Sequence, residues 1–299
     1  MQDLTEATPS NPPQPRHDTS PRLRNGVVAA ILFCLISMLS IQLGASLSLD
    51  VMERFGSYTT TWVRLCFAAA ILYLIVRPKL LSFNRQQWTG ALLLGAAMAL
   101  MTTSIFQAIR SAPLGLVVAI NFLGPICIAL AGVSGYRAYL WPALSLVGVV
   151  LIAYDGTSWV TDARGLLFSL GAALGWGGYI LLMKRVGSQF SGLQGLSVSL
   201  LAAAAIMTPI GLAQATQLHD PQLYIQGAGL ALLVPLLPYV LEMQALRKLS
   251  TAVFGLLMSL EPAVAALLGF VVLSQTLSAL QVIGVGCVVA ASAGVLKGK

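Results

Sequence analysis

Three ionisable side chains, Arg64, Glu242 and Glu261, lie inside long apolar stretches of this sequence. A charged side chain at the centre of a bilayer costs about 2.5 to 3.5 kcal/mol on insertion scales, so such residues usually bind ligands or carry protons. Glu261 lies ten residues into its apolar stretch, near the middle of a helix that could span a membrane. We expect Glu261 to bind a substrate amine or carry a proton; the alternative is structural pairing with a neighbouring helix.

The other two ionisable residues each have a competing structural explanation. Arg64 could attract a substrate carboxylate, or its long side chain could extend to the membrane interface, and the sequence does not separate these two roles. Glu242 lies close to the basic pair Arg247 and Lys248. This position favours an interfacial salt bridge for Glu242 over a role in transport.

Neutral polar and aromatic side chains in the apolar stretches could complete a site for a small zwitterion, which needs hydrogen-bond partners and a shaped apolar wall. The candidates are Gln42, Asn121, Trp176, Tyr179, Tyr239 and Gln244. The same residue types also hold helices together or lie at membrane interfaces, so each one has a structural alternative.

The composition indicates which elements must position these residues. Hydrophobic residues make up 57% of the chain and charged residues only 9%, with a mean hydropathy of +0.84, as expected for an integral membrane protein. A helix needs about 20 apolar residues to cross the hydrocarbon core. The sequence predicts an all-α fold with ten transmembrane helices, at residues 26–47, 57–76, 88–108, 113–131, 139–154, 164–183, 191–213, 224–246, 251–272 and 278–296.

Two parts of the sequence resemble each other. Residues 98–132 align with residues 235–269 without a gap, at an offset of 137 positions. The alignment pairs Arg110 with Arg247 and Pro125 with Pro262. Each proline lies near the middle of a predicted helix, where it removes a hydrogen-bond donor, so we expect matched helix kinks at Pro125 and Pro262.

The distribution of Lys and Arg predicts the orientation. In the ten-helix arrangement all of these residues fall on one side except Arg54, Arg110 and Arg164 on the other side and Arg64 within a helix. Basic loops favour the cytoplasm, so both termini are expected there. An odd number of helices separates the matched copies, which predicts two inverted five-helix repeats at residues 26–155 and 163–297. Residues 1–25, rich in Pro, Ser, Asp and Gln, are expected to be a disordered cytoplasmic tail.

Several function classes lack their sequence patterns. The net charge of +7 is explained by the loop bias and requires no nucleic acid. No nucleotide-binding G-x-x-x-x-G-K-[ST] pattern occurs, and neither His17 nor His219 belongs to a metal-binding pattern. The four cysteines lie in predicted spans without CxxC spacing. We therefore expect no metal, no cofactor and no enzyme activity.

The segment Leu237–Leu277 resembles the second repeat of EamA-type proteins in the drug/metabolite transporter superfamily, especially bacterial amino acid exporters of the threonine/homoserine type. The most specific element is FGLLMSLEPAVAALLG at 254–269. The resemblance extends over both halves and includes GWGGY at 175–179, where the family often has a Trp-Gly pair. The resemblance implies ten helices, cytoplasmic termini and export of small metabolites. Two positions depart from it: Gln275 replaces an acidic residue found in many relatives, and Gly124 is the neutral counterpart of Glu261.

These observations together predict a secondary active exporter of amino acids, working by alternating access through a central cavity between the two halves. The expected partners are a small zwitterionic substrate, the lipid bilayer and a coupled proton, with a monomer as the working unit. The expected location is the bacterial inner membrane. Two alternatives are a multidrug or cationic metabolite efflux transporter of the same fold and a passive channel.

Overall fold

The computed structural model describes residues 21–132, 139–154, 162–215, 218–273 and 277–297. Within these ranges the secondary structure consists of helices and turns, without a strand. Residues 1–20 of the predicted tail lie outside the described residues. Gln275 also lies outside the described residues.

Thirteen α-helices occur in the described ranges. They are α1 (Pro21–Phe55), α2 (Ser57–Val76), α3 (Arg85–Ser111), α4 (Leu114–Asn121), α5 (Leu123–Ala131), α6 (Leu140–Ala153), α7 (Ala163–Gln189), α8 (Gln194–Ala213), α9 (Pro221–Ala231), α10 (Leu237–Lys248), α11 (Thr251–Met258), α12 (Glu261–Leu273) and α13 (Ala279–Lys297). A 3₁₀ turn covers Leu80–Ser82, and a π-helical turn at Leu232–Leu236 joins α9 to α10.

The first helix is longer at both ends than the predicted span. It begins at Pro21, where the fixed φ of proline suits the first helical position. It continues beyond residue 47, and the Ser46 and Ser48 hydroxyls there donate to backbone carbonyls four residues earlier, which satisfies these polar groups within the helix. It ends before Gly56, whose φ of 83° other residues rarely adopt.

Three of the long helical segments are interrupted near their middle. A turn at Phe122 separates α4 from α5, and a turn at Ser259–Leu260 separates α11 from α12. Pro125 and Pro262 each lie three positions after the first residue of the turn. Because proline has no N–H, the carbonyl four residues before it has no helical hydrogen-bond partner, which accounts for the interruption. The third interruption is at Val234, with non-helical φ and ψ of −148° and 114°.

Eight helical segments of the described chain are long and apolar enough to cross a membrane, with α4–α5, α9–α10 and α11–α12 each counting as one. Two further apolar helices, Leu140–Ala153 and Ala279–Val295, are shorter. The first has 14 residues and rises about 21 Å, less than the roughly 30 Å of the hydrocarbon core. The all-α prediction is confirmed, and eight of the ten predicted spans meet the length requirement.

Small residues let the helices approach closely. A Cβ atom on Gly175 of α7 would lie 2.8 Å from the Met101 backbone of α3, and one on Gly95 of α3 would lie 2.6 Å from the Ser199 carbonyl of α8. Between α6 and α13, Gly148 and Gly284 face each other in the same way. Close backbone approach at small residues is the usual packing mode where lipid replaces water. These contacts hold α3 against both α7 and α8, and α6 against α13.

Candidate functional site

A cavity of about 430 Å³ lies between helices from both halves of the chain. Its apolar wall comes largely from one stripe of α1 and one stripe of α3. The α1 stripe is Ile41, Ala45, Leu49 and Met52, and the α3 stripe is Met101, Ile105, Phe106 and Ile109. This spacing of three to four residues places each set on one helix face. The polar lining comes from α2, α4, α7, α10 and α12, with Thr102 from α3.

Backbone irregularity borders this cavity. Val234, Pro235 and Pro238 line it at the junction of α9 and α10. The Ser40 hydroxyl of α1 donates a hydrogen bond of 2.7 Å to the Leu233 carbonyl, so a side chain satisfies one carbonyl next to the helix interruption. Irregular backbone at membrane depth is tolerated where protein or a cavity surrounds it, and this junction meets that condition.

Six of the eight predicted binding or coupling residues line the cavity: Glu261, Arg64, Asn121, Trp176, Tyr179 and Tyr239. Gln42 and Gln244 are not among its lining residues. Gln244 instead accepts a long hydrogen bond of 3.4 Å from Arg247 Nη1. Pro125 and Pro262 are buried beside the two helix interruptions and do not line the cavity.

Arg64 is buried in the cavity wall, with 6% of its surface exposed. Its Nη1 donates to Ser48 Oγ of α1 at 2.7 Å, and its Nη2 makes a long contact of 3.4 Å to Thr61 Oγ1. Its Nε is buried and has no hydrogen-bond partner, and no carboxylate pairs with the guanidinium within the described chain. The cavity therefore contains a buried cation that lacks a counter-ion.

Glu242 does not form the salt bridge that the sequence favoured. It is 4% exposed and lines the cavity, and Arg247 instead donates to backbone carbonyls near the end of α7. The Glu242 carboxylate accepts hydrogen bonds from Ser37 Oγ of α1 at 2.5 Å and from the Tyr179 hydroxyl of α7 at 2.7 Å. The interfacial prediction was wrong because Glu242 faces the cavity, whereas Arg247 is bound to backbone carbonyls at the C-terminal end of α7.

Asn121 lies at the interruption between α4 and α5, and Glu261 lies at the interruption between α11 and α12. The internal repeat aligns these two helical segments with each other. Glu261 is the first residue of α12, where a carboxylate suits the positive end of the helix dipole. Among the described residues its side chain makes no hydrogen bond or ion pair. Asn121 is the last residue of α4, and its buried Oδ1 has no donor in the described chain. Both groups are thus available to a ligand amine.

Aromatic rings form a wall beside the polar groups. The Tyr179 and Tyr239 rings lie 5.3 Å apart, and Trp176 meets Phe122 edge to face with centroids 4.7 Å apart. Phe122 occupies the turn between α4 and α5, so this contact fixes the helix interruption against α7. The rings give the cavity an apolar surface next to Arg64, Asn121 and the two carboxyl groups.

Some functional contacts were not predicted. Ser37 and Ser48 hold Glu242 and Arg64 through hydrogen bonds, yet serine is common in apolar helices and neither residue has a distinguishing sequence pattern. Across the described residues, no group of three or more His, Cys, Asp or Glu side chains could hold a metal ion.

Comparison with known proteins identifies the family. Residues 163–297 match the model of the EamA-like transporter family. The threonine/homoserine exporter RhtA of Salmonella typhimurium SL1344 is 36% identical over 266 residues, covering 88% of this chain and 90% of that protein. RhtA of Escherichia coli K12 is 35% identical over the same shares. These relatives are named as exporters, not as enzymes.

A solved crystal structure shares the fold. It superposes with a TM-score of 0.72 at 17% sequence identity, covering 89% of this chain and 96% of that one. The resemblance stated from the sequence motifs is confirmed by these matches. The chain therefore belongs to the EamA-like transporter family of multi-pass membrane proteins.

Proposed function

We propose that this protein is a secondary active exporter of amino acids in the bacterial inner membrane. The observation that carries this proposal is the buried, unpaired guanidinium of Arg64 in the same cavity as the Glu261 carboxyl group. A zwitterion has one group for each of these charges. The names of the curated relatives, threonine/homoserine exporters, agree with this substrate class.

The substrate carboxylate would accept a hydrogen bond from Arg64, whose Nε has no other partner in the described chain. A hydrogen bond between charged groups is about twice as strong as a neutral one. The substrate ammonium would donate to Asn121 Oδ1 and the Glu261 carboxylate. In this arrangement Arg64 and Asn121, the two cavity-lining residues with a buried polar atom that lacks a partner in the described chain, each acquire one from the amino acid backbone, which makes recognition independent of the side chain.

The substrate side chain would lie against the apolar and aromatic wall. A cavity of about 430 Å³ exceeds the space of one small side chain and would also admit larger neutral or aromatic amino acids. We therefore propose a range of neutral amino acids, with threonine and homoserine among them. Trp176 and Tyr239 are the residues expected to contact the larger side chains.

Transport would proceed by alternating access between two inverted halves, residues 26–155 and 163–297, in a monomer. With both termini in the cytoplasm, the ends of α1 and α3 near Met52 and Ile109 would face outward. These residues line the cavity, so the structure would correspond to an outward-open state. The coupled ion proposed is a proton, carried by Glu261.

A second candidate is export of cationic metabolites or drugs. Two carboxyl groups, from Glu242 and Glu261, face the cavity together with several aromatic rings, and this combination suits a lipophilic cation. Arg64 opposes it, because a cation in the same cavity would be repelled by the guanidinium. A zwitterion is therefore the better match to the complete set of charges.

The test is counterflow into proteoliposomes. Vesicles containing the purified protein and unlabelled threonine should accumulate radiolabelled threonine above the level of protein-free vesicles. Neutral amino acids should compete, whereas lipophilic cations should not. Competition by cations alone would favour the second candidate, and equilibration without counterflow would indicate a passive channel.

A further inference from the structure

One end of the molecule is closed by basic side chains that cap helix ends. Arg247, in the last turn of α10, donates from Nε to the Gly187 carbonyl of α7 at 2.9 Å and from Nη2 to the Phe190 carbonyl at 3.2 Å. It also donates to the Gly192 carbonyl. In return, Lys184 of α7 donates to the Leu249 carbonyl at 2.8 Å. These bonds fasten the ends of α7 and α10 to each other.

The offset of 137 residues extends to the helix boundaries. Helix α2 covers Ser57–Val76 and α8 covers Gln194–Ala213, so both ends match at this offset. Helices α4 (Leu114–Asn121) and α11 (Thr251–Met258) match at both ends as well. The offset therefore assigns each residue in the closed end a counterpart at the opposite end of the molecule.

At this offset, the counterparts of Arg247, Gly187 and Phe190 are all charged residues. Arg110 at the end of α3 corresponds to Arg247, Asp50 of α1 corresponds to Gly187, and Glu53 of α1 corresponds to Phe190. All three are exposed. In the described chain the one ion pair is Arg54 with Asp220, at 2.7 Å, so Arg110 is paired with neither carboxylate in this structure.

Helices also pack more closely at the closed end than at the opposite end. Helix α5 packs on α11 so closely that a Cβ atom on Gly255 would lie 2.5 Å from the Pro125 carbonyl, and α7 contacts α10. Within the described helices, the counterpart pairs α4 with α12 and α1 with α3 make no comparable contact. The cavity occupies the gap between α1 and α3, where Leu49, Met52 and Ile109 line it.

We propose that Arg110, Asp50 and Glu53 form an ion-paired gate that closes this mouth of the cavity in the other state of the transport cycle. This rests on the proposed alternating access. When α3 approaches α1 as α10 approaches α7, the Arg110 guanidinium comes to the position at Asp50 that Arg247 holds at Gly187. Carboxylates then take the role that backbone carbonyls have at the closed end.

Asp50 and Glu53 suit this role because neither side chain makes a hydrogen bond or ion pair with another described residue. The neighbouring Arg54 is already held by Asp220 and Gln222, which joins α1 to α9 independently of the cavity mouth. Closure removes water from the gate, so the ion pair becomes stronger as the mouth closes. The gate therefore favours the closed state without binding the substrate.

The first test is charge exchange, measured by threonine counterflow. Arg110→Asp and Asp50→Arg should each slow counterflow about fivefold, the effect of an ion pair of about 1 kcal/mol. The double variant should recover at least half of the wild-type rate. Arg164→Asp is the matched control, because Arg164 is an exposed arginine expected on the same side but outside the gate. The proposal is overturned if Arg110→Asp behaves like Arg164→Asp, or if the double variant is no faster than the single variants.

The second test does not depend on the substrate. In a chain with the four native cysteines replaced by alanine, the pair Asp50→Cys and Arg110→Cys should form a disulfide under mild oxidation, which requires Cα atoms within about 7 Å. The linked peptide is identified by mass spectrometry after proteolysis. Absence of the disulfide would overturn the gate even if threonine transport is found, whereas its presence without threonine counterflow would reject the proposed substrate only.

Discussion

The Tyr179 hydroxyl donates a hydrogen bond of 2.7 Å to Glu242 Oε2, which joins α7 to α10 at the cavity. The other carboxylate oxygen accepts from Ser37 of α1 at 2.5 Å. One carboxyl group thus connects three helices. Because Glu242 and Tyr179 are buried, loss of either partner would leave a polar group without a hydrogen bond inside the membrane.

Replacing Tyr179 by Phe should destabilise the protein. The change removes the hydroxyl donor but keeps the ring, so we expect a loss of about 1 to 3 kcal/mol in unfolding free energy, the usual cost of leaving a buried acceptor without its donor. Thermal unfolding in detergent measures the effect. Tyr73→Phe is the control, because Tyr73 is exposed and its hydroxyl makes no hydrogen bond among the described residues. Equal melting temperatures for the two variants would show that this bond contributes nothing.

Replacing Gly124 by Ala should also lower stability. A Cβ atom at this position would lie 2.3 Å from the Ala173 carbonyl of α7, so α5 and α7 would have to move apart. Overpacking of this kind costs about 1 to 3 kcal/mol. Gly178→Ala serves as the control in α7, since nothing lies within 4 Å of a Cβ atom there. A stable Gly124→Ala variant would mean that the helices can separate at little cost.

Replacing Glu261 by Gln should separate binding from coupling. The amide keeps the size and the acceptor oxygen, so counterflow should continue at a reduced rate. Stimulation by an imposed pH gradient should disappear if Glu261 carries the proton. Glu242→Gln provides the comparison, because it is the other carboxyl group in the cavity. Unchanged stimulation in Glu261→Gln, with loss in Glu242→Gln, would assign the proton to Glu242.

Much of the helical organisation could be predicted from the sequence. The predicted span 57–76 coincides with α2, because Gly56 precedes its apolar stretch and the charged Arg77 follows it. The predicted span 26–47 stopped short of Phe55, because serines and charged residues interrupt its apolar pattern although the helix continues. Hydropathy reports where lipid could surround a helix, whereas helix length also depends on backbone bonding.

The site was only partly predictable. Arg64 and Glu261 were identified because charges are rare in apolar stretches, and both line the cavity. Glu242 was assigned to an interface because its neighbours in sequence are basic, whereas its partners in space come from α1 and α7. Gln42 and Gln244 are of suitable residue types, but the sequence does not say which helix faces meet. Such contacts depend on the packing of distant segments.

The central claim, that Arg64 binds the carboxylate of a zwitterion, is tested most directly by competition in threonine counterflow. Threonine and threonine methyl ester, which lacks the carboxylate, are compared as competitors for the wild type and for Arg64→Gln. We expect the wild type to prefer threonine about tenfold or more, since a charged hydrogen bond contributes about 1.5 to 3 kcal/mol, and Arg64→Gln to lose this preference. An unchanged preference in Arg64→Gln, measured on protein with wild-type thermal stability, would contradict the account.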